Sequence, residues 1–389
     1  MNVARAGMIA ALLTAACWPA RRIAAPQPVA TVPFDAYGGA IYVPAVVDGD
    51  SVWLMLDTGL SHTALDHDWA FTSGLPIAET ESTGVVTSFR LGELELSQQH
   101  VVLYRLGALS AASGRPERGL LGHDVLHRFT VEIDYQRQRV RLYDAAHYEY
   151  RGHGAAVLFA PDADVPLLRA SVKAPGRQRV AARLLLDTGA SGLCVILATP
   201  FGAEQGLSLL RPAITAPIGT SLAGDLHGIV VRLQEVRLGR IRIASPTSAV
   251  GTEHKGFLGS TDFDGIVGNA AFEGSRLIVD YARHRAIVER GIRDEEIGRC
   301  DFDMSGLRLV ARGAGLKEFV VDYVIPRTPA ADAGVVVGDV LLSIDGRPVS
   351  ALTLSDVRRA ISVADGVREL LLRRDSDTLQ VVLKLRRLL

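Results

Sequence analysis

The sequence predicts a mainly β protein made of two similar halves and a smaller α+β domain that follows them. Short runs of aliphatic and β-branched residues, separated by glycine-rich turns, predominate along the 389-residue chain. One ordered set of motifs occurs twice, which indicates an internal duplication. The pattern changes after residue 292, where a third unit begins. A chain of this length suits two or three domains rather than one hydrophobic core.

Each half begins with a pair of apolar strands, the second of which ends in Asp-Thr-Gly. A buried strand that ends in a carboxylate and a glycine turn presents that carboxylate at a fixed point. Two such copies, Asp57-Thr58-Gly59 and Asp187-Thr188-Gly189, can therefore bring two carboxylates together. The predicted strands are 40–47 and 52–56 in the first half, with a turn at 48–50, and 165–172 and 180–186 in the second.

Three further motifs follow Asp-Thr-Gly in the same order in both halves. The first is a strand signal interrupted by Leu-Gly, the second is an apolar-apolar-Gly segment followed by a short helical stretch, and the third is a closing strand pair that contains Asp-Tyr. They occupy 90–96, 119–122 and 131–142 in the first half, and 237–243, 265–268 and 277–288 in the second.

With these paired motifs the chain resembles the aspartic peptidases of the retropepsin and pepsin clan over roughly residues 31–292. The resemblance implies two pepsin- or retropepsin-like β-barrel lobes, residues 34–150 and 151–292, that form a pseudo-dimer. It also implies that each lobe supplies one catalytic carboxylate, Asp57 from the first and Asp187 from the second.

The same resemblance assigns supporting roles to the residues after each aspartate. Thr58 and Thr188 are expected to hydrogen-bond across the lobe interface and brace the two loops. Gly59 and Gly189 are expected to let the backbone approach the carboxylates closely.

Two neighbouring carboxylates explain the chemistry without a metal or another cofactor. Like charges about 3 Å apart do not both ionise easily, so the pair shares a proton, and one member activates a water while the other donates to the scissile carbonyl. Ala190 follows the second glycine as in the family, whereas Leu60 departs from the usual serine or alanine. The alternative is that Asp57 and Asp187 are turn residues of a duplicated β domain without activity.

In this clan a β-hairpin flap closes over the cleft, which is a common use of a mobile loop with glycine hinges. The segments 81–87, with Gly84, and 219–225, with Gly224, are the flap candidates. The alternative is that both segments are exposed β-turns.

After a connector at 293–299, residues 300–389 resemble a PDZ domain of the bacterial type. The resemblance depends on a Pro-Ala-Ala-x-Ala-Gly helix at 329–334 and on Gly-Asp-Val-Leu-x-x-Ile-Asp-Gly at 338–346. It implies a loop whose N–H groups bind the C-terminal carboxylate of a peptide, next to a strand that accepts the peptide and a helix that lines the groove. The alternative for the groove helix, which carries Leu354 and Val357, is that its apolar face packs into the core. The candidate residues are Ser305 and Gly306 in the loop, Leu307 and Leu309 in the strand, and Leu354 and Val357 in the helix.

The N-terminal residues 1–25 predict export. Arg5 precedes an apolar stretch that is too short to span a bilayer but suits a signal peptide. The segment before Cys17 resembles a bacterial lipoprotein cleavage site, so Cys17 is a candidate lipid anchor, with ordinary signal cleavage as the alternative. Residues 26–33 would then form a linker, and the mature protein would reside in the periplasm or cell envelope.

The remaining chemistry-bearing residues do not predict a further site. We interpret Cys194 as a buried small hydrophobe, with a disulfide to Cys300 as the alternative. His123 and His127 are interpreted as surface or helix-end residues rather than as metal ligands. The net charge of −1, with dispersed basic residues, gives no electrostatic footprint for a nucleic acid.

The sequence thus predicts an exported aspartic endopeptidase that acts on polypeptides and binds peptide C-termini through its PDZ domain. The alternative is a protease-fold scaffold that has lost its activity and binds peptides through the PDZ domain alone. Intact Asp-Thr-Gly in both halves favours the enzyme.

Overall fold

A computed structural model describes residues 26–78, 80–161, 163–290, 300, 302–363 and 365–389. The expectations for residues 1–25, including Cys17, and for the connector 293–299 lie outside these ranges. Within them, no helix has the length and apolar character needed to cross a membrane.

The first half consists mainly of short strands, as predicted. The hairpin of strands Ala40–Val47 and Asp50–Leu56 has the two-residue turn Asp48-Gly49, and both turn residues have positive φ, as a tight hairpin of this type requires. The strands are β1 (Ala30–Pro33), β2 (Asp35–Tyr37), β3 (Ala40–Val47), β4 (Asp50–Leu56), β5 (Ala64–Asp66), β6 (Thr83–Leu91), β7 (Leu94–Tyr104), β8 (Gly119–Leu121), β9 (Phe129–Asp134) and β10 (Arg139–Asp144), and the helices are α1 (His67–Thr72), α2 (Gly107–Ser113) and α3 (His123–Leu126).

Most first-half strands form a barrel-like sheet in the order β2-β3-β4-β8-β5-β7-β6. The sheet closes because β6 also pairs with β3, at Val46 with Arg90 and Val47 with Phe89. Alternate residues of β3 and β4 point into the core, and this period of two buries side chains such as Val47 and Leu54 completely.

The second half repeats this order and adds one hairpin. Its strands are β11 (Ala155–Leu158), β12 (Leu167–Lys173), β13 (Arg179–Asp187), β14 (Val195–Leu197), β15 (Ala213–Ser221), β16 (Gly224–Arg232), β17 (Glu235–Leu238), β18 (Ile241–Ala244), β19 (Thr247–Gly251), β20 (Gly265–Gly268), β21 (Ser275–Asp280) and β22 (Arg285–Arg290), with helix α4 (Thr199–Glu204) and 3-10 turns at Leu207–Leu209, Phe257–Gly259, Asn269–Phe272 and Tyr281–Arg283. The sheet order is β15-β16-β19-β14-β20-β13-β12-β17-β18.

A third sheet joins the halves, with strands in the order β1-β10-β9-β21-β22-β11. At its centre β9 pairs antiparallel with β21, so that Val131 lies opposite Val279 and Ile133 opposite Leu277. All four side chains are buried, and one continuous hydrophobic core extends through both halves. The mainly β, barrel-like architecture is therefore as predicted.

The C-terminal region has its own sheet and its own core. Its strands are β23 (Leu307–Arg312), β24 (Glu318–Val324), β25 (Val340–Ile344), β26 (Arg347–Pro348), β27 (Val367–Arg374) and β28 (Asp377–Lys384), with helices α5 (Pro329–Asp332) and α6 (Leu354–Ile361) and 3-10 turns at Ala314–Leu316 and Val349–Ala351. Thr353 begins α6 with a capping box to Asp356. The sheet order β23-β24-β25-β27-β28 leaves one edge of β23 unpaired by any described strand.

A disulfide joins Cys194 to Cys300, with the two Cα atoms 5.4 Å apart and 106 positions between the residues. The interpretation of Cys194 as a free, buried hydrophobe was therefore wrong, although its burial was predicted correctly. The sequence could not reveal the pair because a long-range contact brings the two cysteines together. Strand β19 pairs with β14, which directly follows Cys194, and the N–H of Thr247 in β19 donates to the Cys300 carbonyl at 3.0 Å.

Candidate active site

Asp57 lies at the end of β4, where the strand leaves the barrel. Strand β4 pairs in parallel with the apolar-apolar-Gly strand β8, and the N–H of Asp57 donates to the Leu121 carbonyl at 3.0 Å. Gly119 has no room for a side chain, since a Cβ there would lie 2.4 Å from the Ala64 carbonyl oxygen. Asp-Thr-Gly and apolar-apolar-Gly therefore occur together because strand β8 positions the end of strand β4.

Asp187 lies in the equivalent position of the second half. It is the last residue of β13, which pairs in parallel with β20, so that Asp187 lies opposite Gly268. The pattern of burial is the same in both motifs: three buried apolar residues, a half-buried aspartate and a buried threonine.

The two threonines bond reciprocally between the motifs. The N–H of Thr58 donates to Thr188 Oγ1, and the N–H of Thr188 donates to Thr58 Oγ1, each at 3.1 Å. Thr58 Oγ1 in turn donates to the Leu186 carbonyl at 2.7 Å, and Thr188 Oγ1 to the Leu56 carbonyl at 2.8 Å. Both threonines are fully buried, so these four bonds join the halves directly beneath the aspartates.

The glycines of the motifs face the opposite carboxylates. A Cβ at Gly59 would lie 2.7 Å from Cγ of Asp187, and a Cβ at Gly189 would lie 2.5 Å from Oδ2 of Asp57. Each glycine N–H also donates to Oδ1 of the aspartate in its own motif at 2.9 Å. The structure therefore brings together Asp57 and Asp187 with the four residues expected around them.

The two carboxyl groups affect one another's ionisation. Burial raises the pKa of Asp57 well above its ordinary value, and the adjacent Asp187 carboxylate raises it further. Burial also raises the pKa of Asp187, against the hydrogen bonds that it accepts from Ala190, Asp57 and Gly189. The pair consequently retains a proton at pH values at which isolated carboxyls are ionised.

Leu60 stands where the aspartic peptidases usually have serine or alanine, but the hydrogen bonding of the backbone to the aspartate is the same in both motifs. The N–H of Ala190 donates to Oδ1 of Asp187 at 2.9 Å, and the N–H of Leu60 faces Asp57 in the same way. The Leu60 side chain instead joins a small apolar cluster of the first half that includes Leu109.

The β15–β16 hairpin extends from the second half to this cluster. Ser221 pairs with Gly224, so Leu222 and Ala223 form the tip, and Leu222 packs against the cluster that contains Leu60. Gly224 has a φ of 117° at this turn, a conformation that favours glycine. The candidate segment around Gly224 is therefore a β-hairpin with its tip close to the Asp57 loop.

Gly84 lies inside strand β6, opposite Val101, and the turn of the β6–β7 hairpin is at Gly92-Glu93. The prediction of a flap turn at Gly84 was therefore wrong. The first part of β6 pairs with β7 as β16 pairs with β19, and its end pairs with β3 as β17 pairs with β12. No described strand of the first half corresponds to β15, so no hairpin like β15–β16 forms there. The turn-rich composition of 81–87 could not distinguish a strand entry from a hairpin tip.

The predicted carboxylate-binding loop of the C-terminal domain is already occupied. The N–H groups of Ser305 and Gly306 donate to the side chain of Asp303, at 2.9 and 2.5 Å. Ser305 itself is fully buried. The prediction that these N–H groups are free for a peptide was therefore wrong, because an acidic side chain from the same loop satisfies them.

The four apolar candidates of the groove belong to the core of the C-terminal domain. Their exposures are 8% for Leu307, 2% for Leu309, and 0% for Leu354 and Val357. For Leu354 and Val357 the alternative applies, namely that the apolar face of the helix packs into the core, and the strand residues Leu307 and Leu309 are buried there as well.

No group of three or more metal-ligating side chains occurs in the described parts of the chain. His123 and His127 stack with ring centroids 4.8 Å apart, and His123 also meets the Tyr281 ring edge-on at 5.1 Å. Burial and the proximity of His127 lower the pKa of His123. His127 is exposed and His123 is half-buried at the start of α3.

The fold is a mainly β structure with barrel-like sheets, and comparison with known families identifies its C-terminal part. A PDZ-domain family model matches residues 320–374. The chain therefore contains a PDZ domain, as the motifs at 329–334 and 338–346 predicted. No curated protein matches the chain.

Three solved structures are among those similar to this chain. An aspartic proteinase from Irpex lacteus is 12% identical over 67% of this chain and 97% of its own, with a TM-score of 0.41. The photosystem II D1 C-terminal processing protease is 31% identical over 22% of this chain, with a TM-score of 0.21, and the match spans 24% of that protease. The HtrA3 PDZ domain bound to the phage-derived ligand FGRWV is 22% identical over 22% of this chain and 85% of its own, with a TM-score of 0.19.

Proposed function

We propose that this protein is an aspartic endopeptidase in which Asp57 and Asp187 activate a water between them. The observation that carries the proposal is the reciprocal pair of Asp-Thr-Gly loops, held together by bonds between Thr58 and Thr188. In this proposal the two half-buried carboxyls share a proton, as general acid–base hydrolysis requires, and their raised pKa values support it. A duplicated β domain without activity has no need of two carboxylates held at such an electrostatic cost.

The two halves, residues 34–150 and 151–292, would be the lobes of a pseudo-dimer with the carboxylates at their interface. The shared β9–β21 pairing and the continuous core support this assignment. The β15–β16 hairpin would then be a flap, and Leu222 at its tip would cover the cleft by packing on the cluster that also contains Leu60.

The PDZ domain, within residues 300–389, is proposed to bind a peptide, either a substrate or a separate ligand. The proposed location is outside the cytoplasm, after removal of a signal within residues 1–25. A disulfide between Cys194 and Cys300 supports an oxidising compartment, where such bonds persist.

Hydrolysis of unfolded casein from acid to neutral pH tests the function. Asp57→Asn and Asp187→Asn should each lower the rate about 10³-fold or more, because an amide neither shares nor accepts the proton. Asp262→Asn removes an exposed turn carboxylate and serves as the control, with its rate unchanged. Hydrolysis that persists in either folded dyad variant would refute the assignment, and a parent protein without hydrolysis would favour the inactive scaffold.

A further inference from the structure

The PDZ groove, between strand β23 and helix α6, is covered by the first half of the same chain. Helix α2 packs along β23, which is the edge strand of its sheet. Directly after α2, the backbone of Gly114 rests on Leu354 of α6, with no space for a Cβ between them. An extended peptide that added to the free edge of β23 would have to occupy the position of α2.

Arg358 of α6 lies in this groove and connects β23 to α2. Its guanidinium donates to the Leu309 carbonyl of β23 at 2.7 Å and to the Ala112 carbonyl of α2 at 2.6 Å. No carboxylate among the described residues forms an ion pair with Arg358, and burial lowers its pKa to about 10. The hydrogen bonds of this buried cation thus go to neutral backbone carbonyls of α2 and β23, which a full carboxylate would outcompete.

A second contact connects the same edge strand to the proposed flap. Arg308 of β23 pairs with Asp225 of the β15–β16 hairpin at 2.5 Å and donates to Thr220 Oγ1 at 3.1 Å. The Arg308 pair holds the pKa of Asp225 below its ordinary value against the effect of burial. Asp225 lies directly after the flap turn, so the position of the flap and that of β23 are coupled.

We propose that α2 is an internal occupant of the PDZ groove and that a peptide with a free C-terminal carboxylate displaces it, which frees the flap and activates the protease. The carboxylate would bind Arg358 in place of the Ala112 carbonyl, and the peptide strand would pair with β23. Movement of β23 against the second half would break the pair between Arg308 and Asp225. The activation step depends on the proposed function, whereas displacement of α2 does not.

A double-mutant cycle on the full chain tests the coupling of β23 to the flap. Arg308→Gln and Asp225→Asn should each speed amide hydrogen exchange in residues 213–232 and raise casein hydrolysis by about two- to fivefold, the range for a partly exposed pair. The double variant should match the Arg308→Gln variant, because that single change already removes the pair with Asp225 together with the second pair of Arg308, to Asp322. Arg373→Gln, which breaks a pair with Glu318 within the PDZ domain, is the matched control and should change neither quantity.

The outcomes separate the inference from the proposed function. Unchanged exchange in both single variants, or strictly additive effects, would overturn the coupling. Faster exchange without faster hydrolysis would overturn the activation step. The same exchange measurements in an Asp187→Asn background test the coupling even if hydrolysis proves independent of that residue.

A peptide that copies residues 107–112 tests the groove directly, since its free terminus places a carboxylate where the Ala112 carbonyl lies. Added to the full chain, this free acid should speed exchange in α2 and raise casein hydrolysis. Its C-terminal amide should require an about tenfold higher concentration, because Arg358 then meets no full charge. Equal potency of acid and amide would overturn carboxylate recognition, and no effect of either on exchange in α2 would overturn displacement.

Discussion

At the scale of residues, the site depends on a few contacts that cross from one half to the other. Gly59 and Gly189 lie against the opposite carboxylates, and the two threonines bond reciprocally beneath them. The resemblance to the aspartic peptidases implied these contacts, and the duplicated strand context indicated that the two motifs can meet. It did not predict Asp303 in the PDZ loop, since an acidic residue near a turn carries no sign of which N–H groups it will bind.

Asp57→Asn should stabilise the folded protein at neutral pH, on the order of 1 kcal/mol, as is common when a costly active-site group is removed. The pKa of Asp57 is raised in the folded state, so folding binds protons there and the ionised form opposes folding. The gain should therefore be largest above the raised folded pKa and vanish below the ordinary pKa of an aspartate, where both states are protonated. Urea unfolding from pH 3 to pH 8 measures this, and a gain that is constant across this range would contradict the ionisation argument.

Thr188→Val should lower the free energy of unfolding by about 2–4 kcal/mol, because it leaves the Thr58 N–H and the Leu56 carbonyl buried without partners. Thr188→Ser keeps the hydroxyl and should cost much less. Urea denaturation compares the two variants. Equal losses in both would mean that the methyl group, rather than the bonds between the halves, supports the site.

At the scale of elements, the β15–β16 hairpin is the main difference between the halves. The repeat predicted the strands around each aspartate closely, because their apolar runs and turns are local signals. Gly84 and Gly224 occur in similar turn-rich segments, yet only the second lies at a hairpin turn. What separates them is the pairing of β6 with β3, a long-range contact that local composition does not encode.

If the β15–β16 hairpin is the proposed flap, Leu222→Ala should lower kcat/KM for casein about tenfold, because the trimmed side chain loses apolar contact with the cluster that contains Leu60. The melting temperature should change little, since Leu222 is only partly buried. Leu209→Ala, on the same half with an exposure of 71%, is the matched control. Equal kcat/KM values in the two variants would contradict a role for the tip.

At the scale of the whole molecule, three units were expected, and the described residues contain two large hydrophobic cores beside three smaller clusters. One core serves both halves and the other serves the C-terminal domain. The sequence predicted the change of pattern after residue 292 from motifs alone. It could not predict that α2 would cover β23, because this packing joins surfaces that are far apart in the chain and carry no shared motif.

Replacing Cys194 and Cys300 together by alanine should lower the free energy of unfolding of the two-half unit by about 2–4 kcal/mol, with the upper part of the range favoured by the 106-residue loop that the bond closes. Guanidinium denaturation measures the loss. A thiol reductant should reduce the stability of the parent protein to a similar extent and leave the variant unaffected. A parent protein that is indifferent to complete reduction would contradict the prediction.

The β9–β21 pairing also has a consequence for concentration. If each half were a separate chain, the two aspartates would come together only when two chains associate, and dilution would dissociate the chains and so disrupt the site. Within one chain the partner is present at a fixed effective concentration, however few molecules there are. Covalent fusion also removes the demand for symmetry, because each half is now free to change alone. Two identical subunits would each carry the same elements. In this chain the second half carries the β15–β16 hairpin and the first half carries α2, which docks on the PDZ domain.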